Sequence, residues 1–245
     1  MSIGVDQANN LGQGTRRTEK PVKRELYAVA CAGAVAVLTV GLSGTAAAAP
    51  QLVPQGKINS IVLSKDDVSS IVGATLTVEQ TFGRPTLPAD FGDKSACAVL
   101  YGLNSDAIGD DYLAFKEAVE KDGDDSGNGL SHIVLQTAAI YDDTDTPAKL
   151  FHDAFQSVSS CSGAVHVSFK SGGDEDWQVQ PPKVTDSGAQ WTMAELFDGK
   201  PGGWRCAHDV RLQSNVMLEA QVCQYGNPTR TASLLADRMI AGASS

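Results

Sequence analysis

The spacing of hydrophobic and polar positions changes several times along the chain, and each change marks an element. Residues 1–25 are polar, Leu26 to Leu42 is uncharged and largely apolar, and that run passes into the small-residue stretch SGTAAAAP. Residues 51–60 show no period and read as a linker ahead of a domain expected over 61–243. Ser64-Lys65-Asp66-Asp67 forms a capping box before Val68, Ile71 and Val72, with Gly73 placed to stop the helix. Leu76 to Gln80 is strand-like, and Arg84 to Ser95 holds Pro85, Pro88 and Gly92 and reads as loop. Ala96 to Leu103 predicts a short buried strand or turn that presents Cys97.

Farther along, Tyr112, Leu113, Phe115, Ala118 and Val119 recur at partial helical spacing and predict a helix over Asp110 to Lys121. Ile133 to Tyr141 is apolar and β-rich, as a central strand would be. Thr146-Pro147 then opens a helix with Leu150, Phe151, Ala154, Phe155 and Val158 on one face. Strand-like pieces follow at Ala164 to Phe169, at Asp176 to Val184 around Pro181-Pro182, and at Gln190 to Phe197. Gly202-Gly203-Trp204 reads as a loop, and Asn227-Pro228 begins a last helix carrying Leu234, Leu235, Arg238, Met239 and Ile240. Short connections imply antiparallel pairing, so the expected fold class is α+β, an antiparallel sheet with helices on one of its faces.

The most informative stretch runs from Cys206 to Cys223. CAHDVRLQ, SN and VMLEAQVC predict a hairpin with a tight turn at Ser214-Asn215, which sets Cys206 directly opposite Cys223 at a non-hydrogen-bonded site. Period-two alternation puts Cys206, His208, Val210 and Leu212 on one face with Met217, Glu219, Gln221 and Cys223. Ala207, Asp209, Arg211 and Gln213 share the other with Val216, Leu218, Ala220 and Val222. Cys161 continues the inward face of the preceding helix, and by elimination it pairs with Cys97. Two disulfides imply an oxidising compartment.

The N-terminal pattern agrees with that compartment. Arg16, Arg17, Lys20, Lys23 and Arg24 precede the apolar run, so residues 1–50 read as a cytoplasmic n-region plus a signal peptide, with a cleavage position after Ala48, or a transmembrane anchor. Cys31 follows only Leu26 to Ala30, short of the apolar run of about 7 to 15 residues that a lipid-acceptor cysteine needs. The whole chain carries a formal charge of −10, and the region after the basic leader is more acidic still. Such a surface repels nucleic acid and anionic lipid, which leaves membrane association to the N-terminal segment.

No GxSxG follows the leader, and SxxK, HExxH and CxxC are absent, which argues against the common hydrolases and metalloenzymes. His132, His152, His166 and His208 lie at no metal-ligand spacing, so neither a metal nor a cofactor is expected. Asp122 to Asn128 imitates the start of a calcium loop, but its twelfth position is Ile133, which offers no closing carboxylate. On the hairpin, His208, Glu219 and Gln221 form a polar group among apolar neighbours, a set that suits a cleft floor and equally a sheet face half covered by a helix. Trp177, Trp191, Trp204, Tyr101, Tyr112 and Tyr141 are candidates to line an apolar groove, Trp204 foremost.

LSKDDVSSIVGA, Cys97 followed by Tyr101, the strand and helix between His132 and Cys161, and GGWRCAHDVRLQSNVMLEAQVC together resemble the extracellular sensor domain of mycobacterial PknH-type serine/threonine kinases and its stand-alone envelope relatives. The resemblance covers about Ile61 to Ala241. It implies a single antiparallel domain with disulfides Cys97–Cys161 and Cys206–Cys223, a cleft for an unidentified ligand, and no catalytic residue. The first 25 residues hold no kinase, and His208, Glu219 and Gln221 stand where the family tends to place charges. The expected function is a non-enzymatic, ligand-binding or sensor-like domain of the cell envelope, outside the cytoplasmic membrane, with His208, Glu219, Gln221 and Trp204 at the site. The alternative is an envelope module that binds another protein; a cell-wall hydrolase lacks an activated nucleophile.

Overall fold

The computed structural model describes residues 51–123, 129–169 and 173–244. The leader, with its signal, anchor and Cys31 readings, and most of the calcium-like loop lie outside them. Among the described residues no helix is long and apolar enough to cross a membrane.

The expected elements appear largely where the local signals put them. The capping box starts α2 (Lys65–Val72), where Ser64 Oγ accepts from the Asp67 amide at 3.3 Å, and Gly73 ends it at a φ of 74°. Asp143 Oδ1 accepts from the amides of Asp145 and Thr146 at 2.9 and 2.7 Å and so begins α4 (Asp145–Phe155). Asn227 accepts from the Thr229 amide ahead of α5 (Thr229–Ser244). Two shorter helices are α1 (Ile58–Ile61) and α3 (Ser105–Ile108). Cys97 sits in a 3-10 segment, Gly92–Tyr101, and is bonded to Cys161 with Cα atoms 5.6 Å apart.

Nine strands form one sheet among the described residues: β1 (Val78–Phe82), β2 (Tyr112–Lys121), β3 (His132–Tyr141), β4 (Gly163–Ser168), β5 (Asp174–Val179), β6 (Lys183–Thr185), β7 (Gly188–Phe197), β8 (Lys200–Gln213) and β9 (Val216–Tyr225). Their spatial order is β1-β2-β3-β9-β8-β7-β5-β4, with β6 beside β7, and every pairing is antiparallel. The hairpin has the expected register, with Gln213 opposite Val216, His208 opposite Gln221 and Cys206 opposite Cys223. Cys206 and Cys223 are joined, with Cα atoms 3.9 Å apart.

Four expectations need correction. Residues 110–121 hold a strand, β2, rather than a helix. Both faces of this strand are covered, so apolar residues occupy both parities and imitate a helical spacing: Phe115 packs into one layer and Ala118 into the other. Residues 51–60, expected as a linker, pack on the sheet, with Val53 bonded through its amide and carbonyl to the side chain of Asn215 at 2.7 and 3.0 Å. Gly202-Gly203-Trp204 belongs to β8, because Gly202 lets that strand lie against the Phe197 ring and Trp204 pairs with Tyr225. Finally, helices cover both faces of the sheet. α4 and α3 pack with Trp191, Met217 and Tyr141 on one side; α1, α2 and α5 pack with Leu218, Val222 and Ile140 on the other. A central hairpin apolar on both parities requires this arrangement.

The α5 layer is close-packed at its end, where a Cβ on Gly242 would run into the Ser60 carbonyl and crowd Ile61. Gly242→Ala should therefore lower stability by about 1–3 kcal/mol, although alanine is the better helix former. An unchanged denaturation midpoint would show that α1 yields. The same layer buries Glu120 completely; Gln136 Nε2 donates to its Oε1 at 3.0 Å, and its Oε2 has no hydrogen-bond partner. Burial raises this carboxyl from the ordinary 4.5 to about 7. Between those two values the unfolded chain releases the proton while the folded chain keeps it, so stability falls as pH rises through this window, by at most roughly 3 kcal/mol. Glu120→Gln should remove part of that decline, gaining stability near pH 8 and little near pH 5 in urea titrations; parallel wild-type and variant profiles would refute the assignment.

Candidate functional site

Three rows of side chains cross the sheet face that looks toward α3 and α4. Because directly opposed residues share a face, the register places Phe82, Glu117, Thr137 and Glu219 in one row. Val119, Leu135, Gln221, His208 and Trp191 form the next. Ile133, Cys223, Cys206 and Met193 form the third. Segments around Leu87 and around Gly102 complete the walls of a cavity of about 610 Å³, with Phe169, Trp177 and Glu175 at the far flank. The Cys206–Cys223 disulfide is part of its lining.

The four hairpin candidates divide between the cavity and the layer beneath it. Gln221 and Trp204 line it, and Trp204 meets Tyr225 edge to face with centroids 5.2 Å apart. His208 and Glu219 lie among the buried residues and do not line it. His208 Nδ1 is 2.8 Å from Glu219 Oε1, and its ring stacks on Trp191 at 4.5 Å and 11°. Glu219 Oε2 also accepts from the Leu103 amide at 2.6 Å. Gly102 permits that contact: at a φ of 147°, its backbone passes over Glu219 and Gln221 where a side chain would be strained. The pair therefore ties the covering segment to the sheet from below.

The remaining aromatic candidates are also sorted by depth. Tyr101, Trp177 and Trp204 line the cavity. Trp191 and Tyr141 are core, with Trp191 Nε1 donating to Leu100 O at 2.9 Å and the Tyr141 hydroxyl to Ile108 O at 2.9 Å, while Tyr112 packs on Phe115. Among the described residues no three His, Cys, Asp or Glu side chains gather as a metal would require.

Two residues of consequence escaped the sequence reading, and both are acids. Glu117 lines the cavity while only 2% exposed, and Thr137 Oγ1 donates to it at 3.4 Å, near the limit of a hydrogen bond. Burial, followed by the charge of nearby Glu219, pushes Glu117 up to about 7. Glu175 accepts from the Tyr101 hydroxyl and the Trp177 indole, both at 2.8 Å. Burial and Glu175 in turn raise the Tyr101 hydroxyl far above its usual range and also raise Glu195. Reading β2 with a period of two would have put Glu117 between Phe115 and Val119 on the inward face; nothing local marks Glu175.

The arrangement is a mostly apolar chamber with a few convergent polar atoms. The profile of the PknH-like extracellular domain family matches residues 53–241. The crystal structure of the extracellular domain of PknH from Mycobacterium tuberculosis superposes with a TM-score of 0.67 at 16% identity, covering 80% of this chain and 99% of that one. At that identity the likeness is one of fold. No curated relative matches. Because the profile spans Val53 to Ala241, well over half of the chain, the chain belongs to the PknH-like extracellular domain family.

Proposed function

We propose that this chain is a non-catalytic, extracytoplasmic binding or sensor-like domain whose cavity takes a small, largely apolar molecule of the cell envelope. The observation that carries the reading is the chamber itself: about 610 Å³, walled by Leu87, Val119, Leu135, Phe169 and Trp177, falls in the size range of small-molecule sites. Membership in a family of extracellular domains and two disulfides support a location outside the cytoplasm. The N-terminal segment either anchors the domain in the membrane or is removed on export, and the mass of the natively exported protein distinguishes the two.

Two cross-links and two covered sheet faces hold the walls before any ligand arrives, so little ordering cost opposes binding. Trp177 and Trp204 line the chamber and report its occupancy. Titration with n-octanol, followed by intrinsic fluorescence, should be saturable. Trp204→Ala should weaken binding about fivefold, and Val119→Trp, which takes up part of the chamber, should weaken it as well. An octanol affinity unchanged in both variants would place binding elsewhere.

A further inference from the structure

Resting on that reading, we infer that the cavity selects apolar molecules bearing a protonated amine, with Glu117 and Glu175 as the counter-charges. Among the described residues the lining contains these two carboxylates and no lysine, arginine or histidine. Among the described residues each carboxylate meets neutral donors: Glu117 the Thr137 hydroxyl, Glu175 the Tyr101 hydroxyl and the Trp177 indole. Glu117 is the more telling of the two. It is almost fully withdrawn from solvent, yet its hydrogen bond from Thr137 is long and it forms part of the chamber wall.

Behind Glu117 the row continues through Thr137 to Glu219, whose two oxygens are already taken by His208 and the Leu103 amide. The protein therefore brings a second acid, itself paired with His208, toward Glu117, and among the described residues sets no lysine or arginine in the lining to balance Glu117. Burial and that neighbour raise Glu117 to about 7, the behaviour of an acid lacking a counter-ion. An ammonium group entering from the cavity supplies the missing charge and up to three donors; a hydroxyl supplies one donor, and a carboxylate adds repulsion. The carboxylates stand on β2 and β5, strands separated by β3, β9, β8 and β7, so they occupy different flanks of the chamber with its apolar walls between them. That spacing suits a molecule with an apolar body and a cationic end. The acidic surface, with the whole chain at −10, adds a long-range attraction of the same sign.

The test compares n-octylamine, n-octanol and n-octanoate, equal in chain length and different in charge, by calorimetry and tryptophan fluorescence at about pH 8, where Glu117 is ionised and the amine still protonated. Octylamine should bind about tenfold or more tighter than octanol, and octanoate weaker than octanol. In Glu117→Gln, isosteric with the wild-type side chain, the preference for amine over alcohol should collapse toward unity, and Glu175→Gln should reduce it. Should Glu117→Gln fail to fold, the wild-type series and Glu175→Gln decide the matter. Octanoate binding as tightly as octylamine overturns the inference, as does a preference that survives in the double variant. If octanol binds but charge makes no difference, the inference alone falls; if none of the three binds, the apolar-cavity reading falls with it.

Discussion

The register of β8 against β9 decides which side chains this molecule shows to its cavity. A two-residue turn at Ser214-Asn215 fixes it at one end and the Cys206–Cys223 bond at the other. The turn is more than a reversal of direction. Ser214 takes a φ of 56°, and Asn215, only 2% exposed, donates to Tyr141 O at 2.6 Å and holds the Val53 backbone in both directions. One buried amide thus aligns the hairpin with β3 and secures the beginning of the domain. A slip of one residue would carry Glu219 and Gln221 to the α5 face and bring Leu218 and Val222 round to the chamber, stranding charge in one layer and exposing hydrocarbon in the other.

Each layer beside that hairpin holds a polar group that a purely apolar core would lack. On the α5 side, Glu120 and Gln136 meet, and Gln136 clasps Leu63 through both its backbone groups. On the cavity side, Glu219 joins His208 to the Leu103 amide. Buried polar contacts of this kind contribute little net stability, since desolvation offsets most of their attraction. What they discriminate is position: α1 with α2 over β3, and the Gly102 segment over β9, each have one location that satisfies the buried groups. The chamber owes its roof to the second of these contacts.

Much of the fold was legible because its signals are local. A capping box, an Asn-Pro start, an apolar, β-rich strand and a tight turn between two alternating runs each need only neighbouring residues, and α2, α5, β3 and the hairpin follow from them. The failures share one cause, which is burial from two sides. Apolar residues on both parities made β2 look helical, and the expectation of helices on one face only left no partner for Val216, Leu218 and Val222. The site was half legible for the same reason. Alternation placed His208, Glu219, Gln221 and Cys223 on one face correctly, but depth beneath that face depends on the covering segment near Gly102, some hundred positions away in the chain. Gln221 and Trp204 reach the chamber, and His208 and Glu219 support its roof. Glu175 converges only through the order of strands, which no short motif records.

The chamber separates the sources of affinity and of selectivity. Apolar area supplies a driving force of about 25 cal/mol per Å² buried, and hydrocarbon of any charge state gains it alike. Discrimination must come from the few polar atoms, and here these are acceptors in excess: two carboxylates in the lining, a third acid behind one of them, and the neutral donors already engaged. Within a partly dehydrated site a charge at 4 Å acts several-fold more strongly than in water, so the sign of the incoming group outweighs small differences in its shape. The cross-links act elsewhere in the walls: Cys97–Cys161 ties the Gly92–Tyr101 segment to the residues after α4, and Cys206–Cys223 joins β8 to β9. Glu117 is the position at which shape, burial and charge converge, and on the inference drawn above a cationic guest would resolve the imbalance that the buried acid behind it creates.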